Sequence, residues 1–458
     1  MARCLLVKAS HRNALEHGMV PPLGLLYLAA VLQERGRHEV RILDLRLRRD
    51  WKDALRRCLL EFDPQVVGIS AISMEYRNGL EVAREVRAWR SDRGLLVGGP
   101  HASALPRETL RETAADAVII GEAEEVIEPV VQALAQREPV PALPGVVTPE
   151  TDGPLSAAPR PDLDSLPLPA WELIEIEPYF RYPSMTSVGP YRYMVMATSR
   201  GCPFHCVFCH EVHGKRVRVR NLDSVADEVS MIERRLGRGM VDILDDLFNL
   251  RSRHAQGVLE IFAKTDGRLR PAFGNGLRAD HLDKDLLDLL RDCRSPEVSV
   301  AIESASPRIQ KAIGKNLNLE AARHAIRGIA DRGLYSVGFF MLGFPGETRE
   351  EMEQTIRFSV EEPVTHAQFH RVIPFPGTAL ASMAPSWAKN AESWEFESFF
   401  SSRMNLSAVS DEELQAMIRR AYCSFYLRPR KVIGILKRHP FKGNLVWGAA
   451  KVLKTLSA

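Results

Sequence analysis

Apolar residues fall in two rhythms along the chain. Short runs rich in Val, Ile and Leu alternate with stretches in which apolar positions recur every three or four residues. The first rhythm predicts buried strands and the second amphipathic helices. Up to about Ala135, strands are expected at Leu5–Ala9, Val40–Leu43, Val66–Ser70, Leu95–Val97 and Ala117–Ile120, with helices at Leu23–Arg35, Leu80–Arg90 and Val126–Leu134. This alternation means βαβ units and a parallel sheet covered on both faces, an α/β doubly wound, Rossmann-like domain. Ligands of such sheets sit outside the carboxyl ends of the strands. Here those ends are Ser70-Ala71-Ile72-Ser73, Gly98-Gly99-Pro100-His101 and Gly121-Glu122.

A proline-rich stretch follows, from Pro139 to Pro169. Proline removes backbone donors and stiffens the chain, so a linker is expected over residues 139–190. From Tyr193 the alternation resumes. Strands are expected at Tyr193–Ala197, Val241–Leu244, Ala272–Gly276, Val298–Ile302, Val337–Leu342 and Ala367–Val372. Helices are expected between them at Val225–Leu236, Ala255–Ala263, Lys284–Arg291, Ala321–Asp331 and Glu350–Phe358. Six β/α units predict a partial (β/α)6 barrel, with functional groups at the carboxyl ends of its strands. The expected domains are 1–138, the linker 139–190, 191–378, and a small, mainly helical C-terminal region 379–458, where Trp387 and Trp394 are candidates for apolar contacts.

Composition narrows the class. With 45% hydrophobic and 26% charged residues in 458, the chain reads as folded rather than disordered. A net charge of +3 gives no case for nucleic acid. No run reaches the ~18 apolar residues of a membrane span, and the apolar run in Met1–Lys8 is short for a secretory signal. A cytoplasmic protein is expected. The charge is unevenly placed: Arg428–Ala458 carries eight Lys/Arg and no Asp/Glu, and removing those eight from 61 leaves 53 against 58 acidic residues. This tail reads as two short helices broken near Pro440, the second with Leu445, Ala449, Val452, Leu453 and Leu456 on one face. It fits either a docked helix with a solvated basic face or a peripheral contact with anionic lipid.

Seven cysteines, an odd number at low density, do not make a disulfide framework. Cys4, Cys58, Cys293 and Cys423 read as small apolar residues. Cys202, Cys206 and Cys209 instead crowd into C-x3-C-x2-C directly after an expected barrel strand. Three thiolates on a [4Fe–4S] cluster leave one iron open for a small molecule. The alternative is a Cys3His zinc site using His205, His210 or His213, although structural zinc sites usually split their ligands into separated pairs.

The loop Ser199–His210 resembles that of the radical S-adenosylmethionine (SAM) superfamily, with Phe208 at the aromatic position of C-x3-C-x-aromatic-C. The resemblance covers about Tyr193–Thr378. It implies SAM contacts at Phe208, at Asp245 and Asp246 after the second strand, at Arg278 after the third, at Glu303 and Ser304 after the fourth, and at Gly343 within Gly338–Glu347. The N-terminal sheet resembles the cobalamin-binding domain fused to such barrels. Ser70-Ala71-Ile72 and Gly98-Gly99 match its S-x-L and GG elements. The implied cobalamin contacts are Ser70, Ile72, Ser73, Gly98, Gly99, Pro100, His101, Gly121 and Glu122. Between Val7 and Ser70 there is no D-x-H-x-x-G, so a histidine below the cobalt is not expected, and His101 reads as a local loop residue.

Together these resemblances imply a radical SAM enzyme with a [4Fe–4S] cluster, SAM and cobalamin. The family pattern cleaves SAM to methionine and a 5′-deoxyadenosyl radical, using an electron from a low-potential donor such as flavodoxin or ferredoxin. The cobalamin-fused class then implies methylation, through methylcobalamin, of an unactivated carbon in a small-molecule or lipid intermediate. Cyclisation, ring contraction and carbon–carbon coupling are alternatives within the class, and a non-catalytic cobalamin and iron–sulfur sensor is a third. A methylthiotransferase is disfavoured, because no second three-cysteine set precedes Tyr193.

Overall fold

A computed structural model describes residues 1–9, 18–384, 404–448 and 450. Strands β1 (Arg3–Lys8), β2 (Glu39–Asp44), β3 (Val66–Ser70), β4 (Gly94–Gly98), β5 (Ala117–Ile119) and β6 (Val146–Val147) form the first sheet, in the order β2-β1-β3-β4-β5-β6. The first five pair in parallel and β6 pairs antiparallel to β5. This order is doubly wound, and the strand order reverses between β1 and β3, where such sheets open a ligand crevice. The expected strands are all present. The amphipathic helix Trp51–Phe62 was not isolated from the sequence pattern; it buries Ala54, Leu55, Leu59 and Phe62.

Beyond it lie β7 (Tyr193–Met196), the small antiparallel pair β8 (Ser199–Arg200) and β9 (Arg218–Val219), then β10 (Gly239–Ile243), β11 (Leu269–Leu277), β12 (Val298–Glu303), β13 (Ser336–Leu342) and β14 (His366–Arg371). The second sheet runs β14-β13-β12-β11-β10-β7, every pair parallel. It is the six-stranded partial barrel that the alternation predicts, open between β7 and β14. Strands β7 and β10 are buried along their whole length, as parallel strands covered by helices must be, whereas the edge strand β14 buries only every second residue.

The open edge at β14 would leave backbone groups unpaired. The helix Asp411–Tyr426 covers it. Tyr426 and Tyr422 lie one helical turn apart, and β14 presents every second residue to the same side. The Tyr422 hydroxyl bonds both N (3.2 Å) and O (3.2 Å) of Phe369, and the Tyr426 hydroxyl bonds N (3.2 Å) and O (2.7 Å) of Ala367.

The proline-rich stretch holds no helix longer than a short 3-10 turn. It is nevertheless packed, which differs from a free spacer: Trp171 and Tyr179 are among the largest fully buried side chains, joined to the barrel core with Ile176 and Val188. Prolines here shape the path while the apolar residues between them seal the sheets together. Trp387 and Trp394, and the tail positions Ala449, Val452, Leu453 and Leu456, lie outside the described residues. Among the described residues, no helix is long and apolar enough to cross a membrane.

Candidate cofactor site between the two sheets

The carboxyl ends of the two sheets face each other. A methyl group on Gly121, after β5, would lie 3.8 Å from the Val212 carbonyl in the cysteine loop. One on Gly377, beyond β14, would lie 2.8 Å from the Ala104 side chain.

On the first sheet, Gly99 has φ +95°, and a Cβ there would stand 2.9 Å from the Ala71 carbonyl and 3.0 Å from Ser70 Oγ. Only glycine accepts both the torsion and the contact. At Gly98 a Cβ would meet nothing closer than 4.0 Å. The absent side chains leave a backbone-lined cradle between β3 and β4, which fits the tail of a large cofactor. His101 is buried in the turn that follows. Its ring stacks on Tyr76, 3.7 Å between centroids, and Nδ1 meets Ser73 Oγ at 3.1 Å. Burial lowers its pKa to about 4, so it stays neutral at ordinary pH. Pro100 starts its short helix, and Ile72 is exposed beside it. Lys8, at the end of β1, pairs with buried Glu75, whose carboxylate also accepts from Ile72 N at 3.2 Å. This pair sits at the crevice between β1 and β3, and the sequence pattern did not single it out. Glu122 turns away from the cradle toward the barrel, where Arg200 and Arg218 hold its carboxylate.

On the barrel side, the cysteine loop spans the separate pair β8 to β9. Gly201 has φ +97°, and its N donates to Asp246 Oδ2 at 2.7 Å. Cys202 N donates to Gly214 O, and Cys209 N to Cys206 O, each 3.1 Å. Val207 N bonds Ile313 O at 3.0 Å, tying the loop to the rim after β12. All three thiols are free, Cys202 and Cys206 half-buried and Cys209 exposed. Desolvation raises the pKa of each, and the neighbouring Cys206 and Cys202 raise that of Cys209 further. Three crowded, desolvated thiols become thiolates only against positive charge, which is the chemistry of an iron–sulfur ligand set. Among the described residues, no three His, Cys, Asp or Glu side chains converge closely enough to hold one metal ion.

The other barrel residues gather around this loop with distinct partners. Asp245 is buried and fully engaged, accepting from Thr198 N (2.7 Å), Thr198 Oγ1 (2.7 Å) and Ser199 Oγ (2.6 Å). It fixes the approach to the loop. Asp246 holds Gly201 N and His213 Nδ1 (2.8 Å); burial opposes its charge, but the hydrogen bond and charge of His213, with Gly201 N and His210, together outweigh that and lower its pKa. Arg278 is clasped by Asp280 (2.9 Å) and lies over the Phe204 ring. Glu303 occupies a left-handed conformation, φ +64°, and pairs with buried Lys315 at 3.0 Å. Backbone strain of this kind in a non-glycine residue concentrates at functional sites. Ser304 is buried against Thr355. Phe208 packs beside Phe344, 5.9 Å between ring centroids. Gly343, φ +99°, donates its N to Glu347 Oε2 at 2.7 Å. Lys315 is an addition of the structure, since its sequence neighbourhood carries no metal or nucleophile pattern; His213, a zinc-ligand candidate by sequence, instead bonds Asp246, and Glu347, the last residue of the Gly338–Glu347 segment, holds the Gly343 turn.

Comparison with known proteins agrees with this geometry. Residues 16–131 match the B12 binding domain family and residues 196–359 the Radical SAM superfamily. The chain is 32% identical over 431 residues to an uncharacterized methyltransferase of Pyrococcus horikoshii, covering 92% of this chain and 91% of that one. It is 31% identical over 413 residues to the cytidylyl-2-hydroxyethylphosphonate methyltransferase of Streptomyces wedmorensis, covering 78% and 77%. It is 25% identical over 426 residues to the anaerobic magnesium-protoporphyrin IX monomethyl ester cyclase of Rubrivivax gelatinosus, covering 90% and 74%. The fold matches the radical SAM methyltransferase TsrM from Kitasatospora setae with cobalamin and a [4Fe–4S] cluster bound, at TM-score 0.68 and 21% identity, covering 83% and 77%. The fold and the paired cofactor sites define a radical SAM enzyme with a cobalamin-binding domain. The chain belongs to the family of cobalamin-dependent radical SAM methyltransferases and their relatives, and its cofactors are a [4Fe–4S] cluster, SAM and cobalamin.

Proposed function

We propose that the protein methylates an unactivated carbon of a small-molecule or lipid intermediate. The observation that supports this is the close approach of the two sheets' carboxyl-end loops: Gly121, after β5, lies by Val212 of the three-cysteine loop, and Gly377, beyond β14, lies by Ala104, in the short helix after the Gly98–Gly99 cradle. When bound, cobalamin supplies a methyl carrier, and the cluster with SAM supplies one-electron chemistry toward carbon. The chain's own residues orient and enclose. Cys202, Cys206 and Cys209 hold the cluster. Asp245 and Asp246 fix the loop where it leaves β8, Arg278 holds it at Phe204, and the Glu303–Lys315 pair is buried near Cys206. Phe208 and Gly343 line the rim where SAM is taken, with Ser304 buried behind it against Thr355, and Ser70, Ile72, Ser73, Gly98, Gly99, Pro100, His101 and Gly121 line the cobalamin side. A low-potential donor of the flavodoxin or ferredoxin kind supplies the electron.

The test is product stoichiometry under anaerobic conditions with reconstituted enzyme. Methyl transfer predicts S-adenosylhomocysteine and 5′-deoxyadenosine formed in step with methylated product. Deoxyadenosine without homocysteine would overturn methyl transfer and favour cyclisation. Cys206→Ala is expected to abolish turnover while keeping cobalamin; turnover retained in the variant would overturn the cluster's role, and no turnover by the parent would favour a sensor.

A peripheral contact with anionic lipid is supported by the helix Pro429–Arg438. Its inner face docks through buried Lys431, whereas Val432, Ile433 and Leu436 are exposed on the outer face. By helical angle, Arg428 flanks this stripe on one side and Arg430 and Lys437 on the other. An apolar stripe edged with cations matches an interfacial helix. Co-sedimentation with phosphatidylglycerol-containing vesicles, weakened by salt and by Ile433→Glu, is expected. Equal pelleting of the variant, or none by the parent, would remove this reading.

A further inference from the structure

Residues Gly201–Val217, which carry all three cluster cysteines, are closed at their base by the pairing of Arg200 with Arg218. Both arginines reach the same carboxylate across the domain boundary. Glu122 Oε2 accepts from Arg200 Nη1 at 2.6 Å, and Glu122 Oε1 accepts from Arg218. Arg200 Nη1 also donates to Glu124 Oε1 at 2.7 Å. Arg200, Glu122 and Glu124 are all buried. The guanidinium of Arg200 lies 5.1 Å from the centroid of Tyr27, on the first domain's Leu23–Gly36 helix, and Arg218 Nη1 donates to Pro161 O at 2.8 Å. Burial opposes the charge of Arg200, but Glu124 and Glu122 outweigh it and raise its pKa above the ordinary arginine value.

The placement of this network is unusual for a merely stabilising ion pair. Glu122 directly follows Gly121, which ends the β5 turn on the cobalamin side, and Gly121 N is itself held by Ser103 Oγ at 2.9 Å. Arg200 stands two residues before Cys202. One carboxylate therefore joins the base of the cluster loop to the rim of the cobalamin sheet. Buried ion pairs add little net stability against apolar replacements, but they fix register, because a shift of either partner leaves an unpaired charge in a dry site.

We propose that Glu122 is a positioning residue: with Arg200 and Arg218 it sets the placement of the cluster loop relative to the cobalamin domain, so that cobalamin binding is felt in the loop. The inference rests on the two cofactor sites, not on which product the enzyme makes. It is tested by hydrogen–deuterium exchange on the full chain, with and without hydroxocobalamin. In the parent, hydroxocobalamin is expected to slow exchange both at residues 98–104 and at residues 201–217. In Glu122→Gln, residues 201–217 are expected to exchange at least tenfold faster, and hydroxocobalamin to protect residues 98–104 alone. Glu122→Asp keeps the charge but shortens the reach, and should restore less than half of the loop protection. Arg218→Gln removes one leg and should give an intermediate effect. Parent-like loop protection by hydroxocobalamin in Glu122→Gln would overturn the proposal. So would equally faster exchange across β10–β13 and the loop in Glu122→Gln and Arg218→Gln alike, which would mean general stability only. Failure of methyl transfer would leave these exchange patterns untouched.

Discussion

The guanidinium of Arg278 lies 3.7 Å from the centroid of the Phe204 ring, inside the cysteine loop, while Asp280 binds its edge at 2.9 and 3.2 Å. Its Nη2 also donates to Lys315 O at 2.9 Å. A cation stacked on an aromatic face and gripped by a carboxylate has little freedom. Arg278 thereby links the loop, the end of β11 and the Lys315 turn. Arg278→Lys keeps the charge but cannot stack and fork together. Turnover is expected to fall roughly 10- to 100-fold, the scale of one lost charge-assisted hydrogen bond, with iron content unchanged. Unchanged turnover would show that charge alone matters there.

Gly99→Ala tests the cradle. The new methyl would need φ near +95° and would press on the Ala71 carbonyl at 2.9 Å. A cost of about 1–3 kcal/mol is expected for the strain. Equilibrium titration with hydroxocobalamin should show affinity weakened at least tenfold. Gly98→Ala, where a Cβ would meet nothing closer than the Ile119 carbonyl at 4.0 Å, should leave the melting temperature unchanged yet also weaken binding. A tight-binding Gly98→Ala variant would place the cofactor elsewhere.

Removing the hydroxyl of Tyr422 leaves both N and O of Phe369 without that partner at the sheet edge. An unsatisfied buried backbone group costs about 1–3 kcal/mol. Tyr422→Phe is therefore expected to lower the urea midpoint of the barrel, and the double variant with Tyr426→Phe to lower it further. Midpoints equal to the parent would mean that the edge finds other partners.

Glu347 is buried and its Oε2 accepts from Gly343 N and Phe344 N. Among the described residues its Oε1 meets no hydrogen-bond partner. Burial raises its pKa to about 7. Between the unfolded value, about 4.3, and that raised value, the folded state binds more protons than the unfolded one. Stability from this group is thus full in acid and declines as pH rises toward 7. Glu347→Gln should flatten that decline in urea melts taken between pH 5 and 8. A slope identical to the parent's would assign it to other groups, such as buried Asp242, whose pKa burial raises to about 6.

Much of the site is legible in one dimension because its causes are local. The C-x3-C-x2-C spacing forces three thiols into one loop, and the turn at Gly98-Gly99 announces close backbone approach. The strand ends follow from runs such as Val66–Ser70 and Val337–Leu342, whose burial requires helices on both faces. Glu122 shows the limit. Its sequence context places it beside a cofactor, yet the side chain reaches Arg200 and Arg218, 78 and 96 positions away. Asp245 is similar: its position in the acidic pair after β10 points to a ligand, and its oxygens are spent on Thr198 and Ser199.

The sequence by itself determined the two α/β domains, their order, and the cysteines that carry the chemistry, since periodicity and short spacings act over one or two turns of chain. Only the tertiary structure decided what each charged residue binds, how Trp171 and Tyr179 turn a proline-rich stretch into packed core, and how two tyrosines close the β14 edge. Those outcomes depend on groups far apart in the chain being desolvated together, and a buried charge takes whichever partner the fold brings within reach.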